Sequence, residues 1–172
     1  MALTLLRHTT PAIMPGTCYG MTDLALADTF AEEARKVLEG LPRVDRIVSS
    51  PLRRCRLLAD MVANAHKQDV VEDHRVLEMD FGTWEGRLWT QIPRTEIDAW
   101  AADFMQARPH GGESVSMLRA RTHAALDDYR RQPGHTLIVT HAGVIKAALA
   151  AEETAASHSA TIAFGGFVTL ID

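Results

Sequence analysis

The sequence has few cysteines, few aromatic side chains, no long apolar run and no excess of positive charge. Its two cysteines, Cys18 and Cys55, have neither CxxC spacing nor zinc-ligand company, and a disulfide framework is not expected in a chain of 172 residues, so both are read as reduced. No stretch suits a bilayer span, because the apolar run from Val144 to Ala151 is broken by Lys146. Met1 to Leu6 is apolar but short, with Arg7 behind it and no basic residue ahead of it, which does not fit a signal peptide. A cytoplasmic protein without membrane contact is the expectation. A formal net charge of -4 and a pI near 6.0 argue against a nucleic-acid surface. A GxxxxGK[ST] segment is absent too, which removes a P-loop nucleotide site.

What is present fits a folded enzyme-sized core. Hydrophobic residues at 47% and charged residues at 23% are the balance of an ordinary globular protein, and the length fits one domain or one core with a small cap. Leu3 to Leu6, Arg46 to Val48, Leu137 to Thr140 and Phe167 to Ile171 are short apolar, partly β-branched runs, the pattern of buried strands. Helical spacing recurs between them: Phe30 with Ala34, Val37, Leu38 and Leu41; a segment from Leu52 through Leu57, Leu58, Met61 and Val62, with Pro51 placed for its first turn; Val115 to Tyr129 behind a candidate cap at Ser114; and a last helix directly after His141. This alternation predicts a three-layer α/β/α sandwich with a mostly parallel central sheet, one domain over 1–172. The segment 82–112 carries Trp84, Trp89 and Trp100 and reads as a helical cap over one end of the sheet.

Ligands of parallel α/β sheets bind beyond the carboxyl ends of the strands, and His8 and His141 stand there on the two best strands. Strand adjacency would bring them together, and the sequence leaves that open. Arg7 precedes His8, and Ser49-Ser50-Pro51-Leu52-Arg53-Arg54 sets an arginine in the first turn of a helix, where backbone N–H groups add to the guanidinium charge. Arg53, Arg54 and Arg56 cluster in an otherwise acidic chain, which points to a small anion rather than a polymer; two guanidinium forks and two imidazoles suit a phosphate. A departing alkoxide also needs a proton donor. Glu78, in an apolar and aromatic setting, is the candidate, with Asp80 close behind it.

Leu6-Arg7-His8-Thr9, Ser50-Pro51-Leu52-Arg53-Arg54-Cys55, Leu77-Glu78 with Phe81-Gly82-Thr83-Trp84-Glu85-Gly86, Gly112-Glu113-Ser114 with Arg121, and Val139-Thr140-His141-Ala142-Gly143 occur in an order that resembles the histidine phosphatase superfamily and its phosphoglycerate-mutase-like fold. The resemblance implies a nucleophilic His8, a phosphoryl group held by Arg7, Arg54 and His141, and Glu78 as proton donor, with no metal and no cofactor. It also implies a small phosphate ester as partner, contacted by Arg7, Arg54, His141, Ala142, Tyr19, Gly20 and Thr22. The segment Pro15 to Leu24 resembles the alpha-ribazole phosphatase branch, which implies alpha-ribazole 5′-phosphate as ester and a place in cobalamin biosynthesis. Two departures stand out: Thr9 and Thr10 follow His8 where Gly-Glu is usual, and Met14 stands at the customary asparagine.

The expected chemistry is double displacement at phosphorus, with neutral His8 attacking, protonated His141 and the arginines stabilising equatorial oxygens, and Glu78 serving as acid and then base. Plainer readings compete with parts of this. Arg53 and Arg56 suit solvated or structural roles, Glu113 and Ser114 suit a helix cap, Arg121 an ion pair, Phe81 to Trp84 packing, and Tyr19, Thr22 and Asp23 an exposed turn. His66, His74, His110, His123, His135 and His158 have no metal-ligand spacing and are expected on the surface or at caps. A cysteine-dependent phosphatase is set aside, because Leu24 and Met61 stand where its arginine would be. Phosphoglycerate-mutase-type transfer and a phosphate-binding module without turnover remain as alternatives, and homo-oligomer formation is left open.

Overall fold

The computed structural model of the protein describes residues 2–171. Five strands, β1 (Ala2–Arg7), β2 (Arg46–Ser49), β3 (Val70–Glu72), β4 (His135–Thr140) and β5 (Phe167–Ile171), form one sheet in the order β3-β2-β4-β1-β5. The pairs β1·β4, β2·β4 and β2·β3 are parallel, and β5 closes one edge antiparallel to β1. Successive side chains of a strand point to opposite faces. In β1, Leu3 and Leu5 therefore pack beneath α4 (Val115–Arg130) and α5 (Ala142–Leu149), while Leu6 faces α1 (Phe30–Gly40) and α2 (Arg53–His66). In β4 the same alternation sends Ile138 to the first layer and Leu137 and Val139 to the second. Helices on both faces explain why these two strands read as near-continuous apolar runs. The expected three-layer sandwich is what forms.

Several local details differ from the sequence reading. Leu52, in extended conformation, is the N-cap of α2, so Pro51 lies ahead of the helix instead of in its first turn. The buried stripe of α2 is Cys55, Leu58, Ala59, Val62 and Ala63; Leu57 is exposed. The short edge strand β3 was not expected, because Val71 and Glu72 are exposed and leave no buried alternation to detect. Ser114 caps α4 as expected, its hydroxyl accepting from Met117 N. Between β3 and α4 run 3₁₀ turns at His74–Val76, Gly82–Trp84 and Trp89–Gln91, and α3 (Arg94–Ala102). Trp84 is fully buried there with Cys18 and Ile92, and its indole N–H donates to Glu96. Among the described residues no helix is long and apolar enough to cross a membrane.

Candidate active site

β1 and β4 are neighbours, with Arg7 in register with Thr140, so the residues that follow them, His8 and His141, emerge side by side at the carboxyl edge of the sheet. His8 N donates to the Thr140 carbonyl at 3.0 Å, which extends the ladder by one residue, and the two imidazole centroids lie 5.3 Å apart, edge to face. Both rings are buried. His8 Nδ1–H donates to its neighbour's carbonyl, Thr9 O, at 2.7 Å. That bond fixes the tautomer and leaves Nε2 as a lone pair. Arg54 Nε donates to that lone pair at 3.3 Å. His141 Nε2 shares a 2.8 Å hydrogen bond with Ser50 Oγ, and Cys55 Sγ packs 3.5 Å from the same nitrogen.

Burial and the guanidinium charge of Arg54 and Arg7 pull the pKa of His8 down to about 3, against the Thr9 hydrogen bond, which raises it. His141 is lowered well below its ordinary value by burial first, then by Arg54, His8, Arg121 and Arg7. A neutral His8 is the form a nucleophile needs. The direction of this shift, set first by burial, favours the neutral ring at His141 as well, whereas the protonated form is the one expected with a phosphoryl group bound.

Arg54 is wholly buried, while Arg53 is exposed and Arg56 pairs with Asp60 and Glu72, so the register selects one arginine of the cluster. Its Nη1 donates to Thr22 O at 2.7 Å and its Nη2 to Gly20 O at 2.6 Å. Arg7 Nη1 donates to Ile162 O at 2.6 Å, its guanidinium carbon lies 3.9 Å from the Phe164 ring centroid, and its buried Nε has no protein partner among the described residues. Glu78 is also buried, but its carboxylate is not in a purely apolar setting: Oε1 accepts from Met79 N at 2.9 Å and Oε2 from Gly143 N at 3.0 Å. Arg121 anchors it from behind by donating to the Leu77 and Glu78 carbonyls while pairing with Glu113, so Glu113 is an ion-pair partner and not a cap.

Arg7, His8, Tyr19, Glu78 and Ala142 open onto one cavity of about 400 Å³. Its far wall is apolar and aromatic, with Phe81, Trp89, Trp100 and Phe104, and Lys146 and His158 add polar groups. Phe81 thus has a place on the wall beyond packing. Of the other expected contacts, Arg54 and His141 touch the His8 ring without lining the cavity, and Gly20 and Thr22 present their carbonyls to Arg54. Asp80 accepts from Gly82 N and lines a different cavity, with His74, Arg108 and Arg121, which separates it from Glu78. Met14 is exposed and does not line the cavity, and Thr9 meets the His8 ring through its backbone carbonyl, an atom that any residue there would supply. His110 and His158 are buried, contrary to the surface expectation: His110 accepts from Gly112 N and packs 4.9 Å from the Trp84 ring, and His158 bonds Thr154 O.

Three contributors have no role in the sequence reading: Ser50 orients His141, Phe164 covers Arg7, and Glu85 gathers the loop that grips Arg54. Asp23, read as part of an exposed turn, accepts from Arg53 N at the start of α2. Ser50 and Glu85 fell inside quoted motif blocks, but nothing in spacing distinguishes a residue that orients another from a packing neighbour.

The sheet order and the paired histidines at its carboxyl edge define a phosphoglycerate-mutase-like α/β protein. The profile of the histidine phosphatase superfamily (branch 1) matches residues 3–163, and the chain belongs to that superfamily. Among curated relatives, phosphoserine phosphatase 1 of Hydrogenobacter thermophilus is 28% identical over 143 residues, covering 80% of this chain and 68% of its own length. A probable phosphoglycerate mutase of Proteus mirabilis is 32% identical over 130 residues, covering 71% of this chain and 60% of its own length. Among solved structures, a mycobacterial glucosyl-3-phosphoglycerate phosphatase complexed with VO3 superposes with a TM-score of 0.85 at 27% identity, covering 99% of this chain and 92% of that one.

Proposed function

We propose that this chain is a phosphatase that hydrolyses a small phosphorylated metabolite through a phosphohistidine on His8. The observation that carries the reading is the His8 ring: its Nδ1–H is committed to Thr9 O, its Nε2 lone pair meets Arg54 Nε, its ring lies against that of His141, and His8 and Arg7 both line the cavity. A phosphate ester entering the cavity brings the negative charge that these cationic neighbours lack. Arg54 and Arg7 then turn donors to the equatorial oxygens, and His141 takes up a proton as the dianion arrives. His8 Nε2 bonds to phosphorus as the ester oxygen leaves with a proton from Glu78. Water next attacks phosphorus, gives its proton to Glu78 and releases the imidazole and inorganic phosphate.

The reading calls for no metal or cofactor. Support for phosphoryl transfer also comes from the phosphatases among the relatives and from the VO3 complex of the mycobacterial one. The aromatic wall of Trp89, Trp100 and Phe104 suits a leaving group that carries a ring, and alpha-ribazole 5′-phosphate, the finer expectation from the sequence, is an ester of that kind. On this reading the segment 82–112, which supplies Trp89, Trp100 and Phe104, caps the cavity of a single domain. The protein works in the cytoplasm on a free metabolite, without nucleic acid or membrane.

Turnover of p-nitrophenyl phosphate in EDTA, abolished by His8→Ala, is the expected result. Unchanged turnover in the variant would reject His8. Phosphoryl exchange between the hydroxyls of phosphoglycerate without net release of phosphate would favour a mutase, and no turnover of any ester would favour a binding module.

A further inference from the structure

Arg54 poses an electrostatic question that the residues around His8 do not answer. A wholly buried guanidinium ordinarily has a carboxylate partner. Among the described residues no carboxylate bonds Arg54; its partners are two backbone carbonyls, Gly20 O and Thr22 O, and His8 Nε2. The negative charge sits one peptide layer further out. Glu85 Oε1 accepts from Gly20 N at 3.0 Å, Thr22 N at 2.8 Å and Thr22 Oγ1 at 2.7 Å, and Oε2 accepts from Met21 N at 3.0 Å and Phe81 N at 3.3 Å. Three successive backbone N–H groups converging on one anion form a nest, a turn whose shape is set by what it encloses.

We propose that Glu85 is a positioning residue for the phosphoryl site: by gathering the Gly20, Met21 and Thr22 N–H groups it aims the Gly20 and Thr22 carbonyls that hold Arg54 against His8. Nothing in the reaction touches Glu85. It acts through the loop, and it polarises the Gly20–Met21 peptide, whose N–H it accepts and whose carbonyl bears on the guanidinium. The close fit at Gly20 supports the same conclusion, since a Cβ there would lie 1.8 Å from Met79 O, so the turn has little room to settle elsewhere. Burial works to raise the Glu85 pKa, but the hydrogen bonds from Thr22, Gly20 and Met21 outweigh it and hold the group below its ordinary value, so the nest keeps its anion across the neutral range.

This inference rests on His8 as nucleophile for its meaning but not for its test. The charged and titratable groups facing His8 are Arg7 at the end of β1, Arg54 on α2, His141 ahead of α5 and Glu78 across the cavity. If Glu85 acted only by its field, the variant Glu85→Gln would remove a negative charge and make His8 harder to protonate. If it acts by placing Arg54, the same variant lets the guanidinium withdraw and makes His8 easier to protonate. The two outcomes have opposite signs.

The experiment follows the His8 ring protons by NMR across a pH titration in the wild-type chain, Glu85→Gln and Glu85→Asp, alongside p-nitrophenyl phosphate kinetics. Positioning predicts that His8 in Glu85→Gln titrates at least about one pH unit higher than in wild type, a shift worth about tenfold in its protonation equilibrium. It also predicts a kcat reduced about tenfold with KM changed less than about threefold. Glu85→Asp, which keeps the anion, should recover part of both. An unmoved or lowered His8 titration in a folded Glu85→Gln chain overturns the proposal. Absence of turnover in the wild type would count against the phosphatase reading alone, since the titration judges Glu85 without it.

Discussion

Arg54 Nε points at His8 Nε2 across 3.3 Å, so the lone pair assigned to attack phosphorus is held by the same guanidinium assigned to receive the phosphoryl oxygens. Burial first and this contact second keep His8 neutral, and an incoming anion has to draw the arginine away from it. Replacing Arg54 with methionine removes both the charge and the donor. His8 should then titrate well above its wild-type value of about 3, and kcat/KM for a phosphate ester should fall about 10²- to 10³-fold. An NMR titration combined with steady-state kinetics checks both halves.

The neutral state of His141 predicts a proton coupled to anion binding. A dianion beside the ring offsets the depression caused by burial, Arg54 and the other cationic neighbours, so binding should take up protons. Sulfate is a suitable probe because it stays a dianion throughout the range. Its affinity should rise as pH falls from 7 to 5, by up to about tenfold per pH unit for each proton taken up. Calorimetry in buffers of different ionisation enthalpy measures the uptake directly, and His141→Gln should reduce it.

Glu78 and Gly143 fit each other without slack. A methyl group at Gly143 would lie 2.1 Å from Glu78 Oε1, and Gly143 N is also a donor to Oε2. Gly143→Ala should therefore displace the carboxylate and lower kcat by about 10²-fold, the lower end of what proton transfer contributes, with a smaller change in KM. Esters with acidic leaving groups need less help from a proton donor. The loss should accordingly be smaller for p-nitrophenyl phosphate than for an alkyl phosphate.

The buried imidazoles also tie stability to pH. His8 ionises near 6.5 in the unfolded chain and near 3 in the folded one, so between these values the unfolded chain binds more protons. Stability contributed by the neutral ring is complete above pH 6.5 and is lost as pH falls toward 3. The slope is at most about 1.4 kcal/mol per pH unit for one such group. Urea unfolding at pH 7 and pH 5 should show a smaller acid loss in His8→Gln than in wild type.

The strongest parts of the sequence were those whose local pattern coincides with their global role. Leu3 to Arg7 and Leu137 to Thr140 read as buried strands because both faces are covered, and His8 and His141 follow them directly. That β4 lies beside β1 is a property of the assembled sheet and has no local signal. The same holds for the wall built by Trp89, Trp100 and Phe104, which come from a segment of 3₁₀ turns and one short helix with no buried residue of its own, so periodicity had little to register. His158 reads as a scattered histidine and is instead buried against the cavity, where its ring meets Phe104 at 5.6 Å. In the sequence, motif register alone separates Arg54 from Arg53; burial of Arg54 and exposure of Arg53 give the physical reason. Glu85 stands in a motif block but its role has no sequence signal, because its partners, Thr22 Oγ1 apart, are backbone N–H groups, which carry no identity in a sequence.

The account turns on a covalent bond between phosphorus and His8. The most direct measurement is acid-labile phosphorylation in chain quenched during turnover of a phosphate ester, located by peptide mass spectrometry. The account predicts a phosphoryl group on the peptide bearing His8, absent from His8→Ala. Turnover that leaves His8 unmodified, or that labels another residue, would contradict it.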